Sequence, residues 1–267
     1  MNYDMDLSHQ RIVNMYHDPK NIQGDPVWEQ RKEYKIIIVD IAAFFTLENP
    51  WYWLKKYFDV DLISLERVYR RKTFRNEYEA IYRDIISLKK KLKRDPIIII
   101  EEAFKEIPFI LGAESVVRLL NATGSILGVL GGAHEMIIKR LSTELGFNMD
   151  FYDYIRIIRD EKGSYHILGD LLYILNNREH KIKGLYGRTK IYEMFKNIVD
   201  VYNVDPTDIM IIARDNFFRD ILDKVGLSVV FNPIGEEFIE YVKSIGSYII
   251  TGHMGELENF LKNVLII

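Results

Sequence analysis

The chain has 267 residues, enough for one sizeable core and a smaller module, and its 48% hydrophobic and 28% charged residues describe an ordinary globular protein. A net charge of -3 provides no polyanion-seeking surface, so nucleic acid is not an expected partner. The chain contains no cysteine, which removes disulfides, thiolate nucleophiles and cysteine metal sites together. Any metal must then be held by oxygen or histidine, and an intracellular setting fits.

Residues 1–33 are polar, with turn signals at Asp18-Pro19 and Gly24-Asp25-Pro26, and read as an extension outside the core. Asp4, Asp6 and His9 stand where a signal peptide needs a basic end and an apolar run, and no later run reaches membrane-spanning length. A cytoplasmic protein without membrane contact is therefore expected. Heavy use of Ile, Lys, Glu and Tyr resembles thermophile composition.

Lys35-Ile36-Ile37-Ile38-Val39-Asp40 is a β-branched run too apolar for a half-exposed strand, so it is expected in the middle of a parallel sheet with Asp40 at its carboxyl end. From Trp51 to Lys93 the pattern turns helical, with apolar residues such as Leu65, Val68, Tyr69, Tyr78, Ile81, Ile85 and Leu88 at three- and four-residue spacings. Ile97–Ile100 is ambiguous, and the following Glu101, Glu102 and Ala103 favour helix. Pro108–Leu120 reads as a turn and amphipathic helix. Ile126–Leu130 reads as a strand, Gly131-Gly132 as a strand-to-helix turn, and Glu135–Leu145 as the helix it feeds. Residues 151–186 suggest short strands and hairpins, and Thr189–Tyr202 an amphipathic helix. Asp208–Ala213 is a further buried strand, followed by Asp215, a helix to Val225, Gly226 and a strand through Val229–Phe231.

Strands alternating with helices imply an α/β fold with a doubly wound parallel sheet. Ligands of such sheets bind beyond the carboxyl ends of the strands, where Asp40, Gly131 and Asp215 are expected. No P-loop, Rossmann glycine fingerprint or Ser-His-Asp order is present, and Gly124, Gly128, Gly131 and Gly132 lack the spacing.

Five ordered segments, IIIVDIAAFFT at 36–46, PFILGAESVVRLL at 108–120, ILGVLGGAHEMIIKRLSTELG at 126–146, GRTKIYEMF at 187–195 and DIMIIARDNFFRDILDKVGLSVVFNP at 208–233, together resemble the haloacid dehalogenase superfamily. The similarity is to its phosphoserine phosphatase-like branch. It implies a Rossmann-type core of residues 34–48 and 108–267, with a small helical cap, residues 49–107, inserted after the first strand. It also implies phosphomonoester hydrolysis. Asp40 matches the family's nucleophile, which forms an aspartyl-phosphate that water hydrolyses. Asp215, and less cleanly Asp220, match acidic ligands of a magnesium ion that also touches Asp40. Lys190 matches the charge-neutralising lysine, with Arg188 as its fallback. The implied partner is a small phosphorylated molecule, and a homo-oligomer is compatible with the sequence.

Several positions depart from the family pattern. Ala42 replaces the aspartate that protonates the leaving alkoxide, assistance typically worth ~10²–10⁴ in rate. Leu130 replaces the hydroxyl of the second motif, leaving the backbone N–H groups of Gly131 and Gly132 to cradle an anion. Arg214 replaces the glycine before Asp215, where it would crowd the metal or supply a positive charge itself. Glu48 and Asn49 give no clean match to the phosphoserine ammonium ligand. A weakened or specialised phosphohydrolase is therefore expected, with a catalytically inactive module that binds a ligand or partner protein as the alternative. Dehalogenases of the superfamily, which also lack the second aspartate and need no metal, are a third reading.

Each feature has a plainer explanation. Asp40 and Asp215 can simply cap helix N-termini at the ends of their strands. Lys190 can be a solvated helix residue. The basic runs Arg67, Arg70, Arg71, Lys72, Arg75 and Lys89, Lys90, Lys91, Lys93, Arg94 are most simply solvated helix faces, interrupted by Glu66 and Asp84. His134 and His253 lack metal-ligand spacing, and Trp51 and Trp53 are expected in packing.

Overall fold

A computed structural model describes residues 31–45, 50–62, 77–185 and 190–267. The expected strands appear as β1 (Ile36–Asp40), β2 (Ile126–His134), β6 (Ile209–Ala213) and β7 (Leu227–Phe231), joined by β3 (Phe151–Arg159), β4 (Tyr165–Leu175), β5 (Arg178–Lys183) and β8 (Tyr248–Ile250). All lie in one eight-stranded sheet of order β5-β4-β3-β2-β1-β6-β7-β8. Its central part is parallel, with β2 and β6 flanking β1. All five residues of β1 are buried, as the uninterrupted apolar run requires.

The residues called hairpins form long antiparallel strands that extend this same sheet, β3 pairing with β2 in parallel and β4 and β5 following antiparallel. Asn176 and Asn177, at φ 52° and 59°, make the two-residue turn between β4 and β5. The outer strand β5 is almost wholly exposed and carries Arg178, Glu179, His180, Lys181 and Lys183. Charge at an edge strand discourages pairing with another chain.

Helices cover both faces. Alternation along the central strands sends Ile37 and Val39 into one apolar cluster, and Ile36 and Ile38 into the other. The first cluster is capped by α1 (Pro50–Phe58), α2 (Glu77–Leu92), α3 (Pro96–Lys105), α4 (Ala113–Asn121), α5 (Glu135–Leu145) and α9 (Met254–Val264). The second is capped by α6 (Ile191–Tyr202), the single turn α7 (Arg219–Leu222) and α8 (Glu236–Ser244). The strand-like Ile97–Ile100 is helical because Asp95 caps it, accepting the Ile97 N–H at 2.9 Å, and Pro96 occupies the first turn. Leu65, Val68, Tyr69 and the arginines at 67, 70, 71 and 75 lie outside the described residues, as do Glu48, Asn49 and Arg188.

Two local expectations are corrected. β2 does not end at Leu130: it continues to His134 through a register shift between Val129 and Ala133, because Gly131 and Gly132, at φ 146° and 65°, form a bulge rather than a turn. The helix expected from Asp215 to Val225 is a 3₁₀ turn at Asn216–Phe218 followed by α7 alone.

Candidate functional site

The carboxyl ends of β1, β2 and β6 bring Asp40, Gly131 and the Arg214-Asp215 pair to one place. Asp40 is only 2% exposed. Its Oδ1 accepts the Ala42 N–H at 2.9 Å, capping the 3₁₀ turn Ile41–Phe44, and its Oδ2 accepts the Arg214 N–H at 3.1 Å. Both oxygens of the expected nucleophile thus hold backbone N–H groups. Asp215 does likewise on the neighbouring strand, its Oδ1 accepting the Phe217 N–H at 2.8 Å. The capping role considered for both carboxylates is realised here, and it fixes where they stand.

Gly131 closes the other side. A Cβ there would lie 2.5 Å from Ile41 Cγ2 and 3.4 Å from Asp40 Oδ1, so only glycine lets β2 approach the Asp40 turn this closely. Its N–H, expected to cradle an anion, donates instead to Asp153 Oδ1 at 2.8 Å, and that of Gly132 donates to Asp153 Oδ2 at 2.9 Å. Asp153 comes from β3 and is fully buried. A carboxylate of the chain itself therefore occupies the donors an incoming phosphate would need. The sequence reading overlooked Asp153, although an acidic residue inside the apolar run Phe151–Ile158 is the kind of buried polar group that demands a partner.

Arg214 decides the character of the site. Its Nη1 donates to the carbonyls of Ala42 at 2.9 Å and Phe45 at 2.8 Å, laying the guanidinium over the turn that carries Asp40. The side chain that replaces glycine thus places a fixed positive charge against the turn beside the buried carboxylate. Lys190 stands at the start of α6 and pairs with Glu193, three residues on, at 2.7 Å. Asp220 is exposed on α7.

The magnesium ion implied by the sequence resemblance does not fit this arrangement. Among the described residues no three His, Asp or Glu side chains converge on a point where a cation could be held. Asp40 and Asp215 each cap a turn, Asp220 is exposed, and a guanidinium takes carbonyl oxygens that a hard cation would seek. No mechanistic step through a metal is derived.

Comparison with solved structures places the fold. A phosphoserine phosphatase in apo form aligns over 86% of this chain and 99% of its own, with a TM-score of 0.60 and 17% identity. A substrate-bound phosphoserine phosphatase complex aligns over 88% of this chain and 100% of its own, with a TM-score of 0.61 and 16% identity. A HAD family hydrolase from Salmonella enterica subsp. enterica serovar Typhi aligns over 86% of this chain and 70% of its own, with a TM-score of 0.60 and 13% identity. No protein-family model matches the chain and no curated protein matches its sequence.

Proposed function

We propose that this chain, which has the phosphoserine phosphatase-like fold of the haloacid dehalogenase superfamily, does not hydrolyse phosphomonoesters and serves as a ligand-binding or protein-interaction module. The observation that carries the proposal is the Arg214 guanidinium on the carbonyls of Ala42 and Phe45, with its own backbone N–H on Asp40. A nucleophile of this chemistry needs a cation to screen it from an incoming dianion, an anion cradle and a proton donor for the leaving group. Here Arg214 supplies a tethered charge, Asp153 fills the cradle, and Ala42 has no proton to give. On the same reading, residues 49–107 are a helical cap inserted after β1.

The competing reading, a weakened phosphohydrolase acting on a small phosphorylated molecule with magnesium, is favoured by one feature: Asp40 and Asp215 still end adjacent strands β1 and β6. Purified protein assayed with magnesium and an activated aryl phosphate separates the two. The expected result is no turnover above an Asp40→Asn control. An Asp40-dependent rate overturns the proposal and restores the hydrolase.

A further inference from the structure

Helices α1–α3 are joined to the sheet through two crossings, one leaving at Phe44-Phe45 and one returning at Ile107–Ile110, and the two are paired with each other. The Ile110 N–H donates to the Phe44 carbonyl at 2.9 Å, and the rings of Phe45 and Phe109 meet at 4.9 Å. Each crossing also receives an arginine from the sheet side. On the outgoing one, Arg214 Nη1 reaches the carbonyls of Ala42 and Phe45. On the returning one, Arg140 of α5 does the same, its Nη1 donating to the carbonyls of Phe104 at 2.8 Å and Ile107 at 2.7 Å. In both cases one nitrogen bridges two carbonyls three residues apart.

Phe104 lies in the last turn of α3, where carbonyls lack intrahelical partners, so a guanidinium from a neighbouring helix completes that end. Arg140 is itself held in place. Its Nε and Nη2 take the two oxygens of Glu144 at 2.6 and 2.8 Å, its Cζ lies 4.8 Å from the centre of the Phe109 ring, and its side chain is only 12% exposed. A third contact comes from α1: the Trp51 Nε1–H donates to the Gly132 carbonyl at 3.3 Å, tying the helices to the bulge in β2. Asp40 and Ala42, at the outgoing crossing, are 2% and 4% exposed.

We propose that Arg140 and Arg214 form a two-point latch that holds α1–α3 closed against the carboxyl ends of β1 and β2, so that release of these helices decides whether any ligand reaches Asp40. The inference rests on the reading of residues 49–107 as an inserted cap. Hydrogen bonds from a charged donor are strong enough that losing one latch arginine should raise the opening equilibrium about tenfold or more. Arg140→Met and Arg214→Met remove the guanidinium and keep an apolar stem. In native-state hydrogen exchange of the full chain, the amides of residues 41–45 and 104–110 are expected to exchange faster by that factor in each variant, with those of β6 and β7 unchanged. Because the chain has no cysteine, a single thiol gives a second readout. Introduced by Ala42→Cys it should be labelled slowly, and faster by a similar factor once Arg140→Met is added, whereas a thiol introduced by Ser228→Cys on β7 should react at one rate in both backgrounds. Unchanged exchange and labelling at the crossings overturn the latch. So does an equal acceleration in β6 and β7, which marks a general loss of stability. Neither readout depends on turnover, so an Asp40-dependent phosphatase rate would overturn the preceding proposal and leave this test standing.

Discussion

At the scale of single residues, the protein keeps several polar groups inside an apolar interior and answers most of them from within. Asp40, Asp153 and Asp215 are each buried and each accept backbone N–H groups, so their charges are compensated locally. His134 is answered by neutrality: burial lowers its pKa to about 4, so the ring is uncharged in the folded protein at neutral pH. An unfolded chain regains the ordinary histidine value near 6.5. The folded pKa lies below the unfolded one, so the folded state resists protonation, and its stability is fully present above about pH 6.5 and falls as pH drops toward 4. The loss attributable to His134 is up to about 3 kcal/mol across that window. Denaturant midpoints taken at pH 7, 5.5 and 4.5 should show this slope, and His134→Phe should flatten it. An equal slope in the variant would assign the pH dependence to other groups.

At the scale of elements, the decisive feature is the bulge in β2. A strand that turned into its helix at Gly131 would leave the two glycine N–H groups facing the end of the sheet. Because β2 continues to His134, those groups meet Asp153 on β3. Gly131→Ala tests the closeness of that approach. The added Cβ meets Ile41 at 2.5 Å in a backbone region that L-residues avoid, so a loss of about 2–4 kcal/mol is expected in chemical denaturation. A neutral effect would mean that the Ile41 turn yields easily. The outer strands show the same logic in reverse: β5 is charged and exposed, and its Lys181 is retained by Asp170 of β4 at 2.9 Å.

At the scale of the whole molecule, one sheet separates two apolar clusters, and among the described residues no helix is long and apolar enough to cross a membrane. That no three acidic or histidine side chains converge on a cation site among the described residues has a consequence for the whole molecule. A metal bound only by the folded state raises its stability by about 2.7 kcal/mol at a hundred times its dissociation constant. Melting temperatures should therefore be the same with millimolar magnesium and with a chelator, and a magnesium-dependent rise of several degrees would show a cation site that the Arg214 arrangement excludes.

Read alone, the sequence determined the α/β class and the central strands with Asp40 at the end of β1, since an uninterrupted β-branched run and alternating periods are local signals, and its ordered motif segments carried the resemblance to the phosphoserine phosphatase-like fold. It also exposed Ala42, Leu130 and Arg214 as departures, because those are identities at fixed spacings. Tertiary structure alone decided what the departures do. The reach of Arg214 across to the carbonyls of Ala42 and Phe45 spans strands far apart in sequence. The union of Gly131 and Gly132 with Asp153 depends on a register shift. Hydrogen bonds between distant segments leave no period in a sequence, so the position of the carboxylate at the head of the central strand was legible and the company it keeps was not.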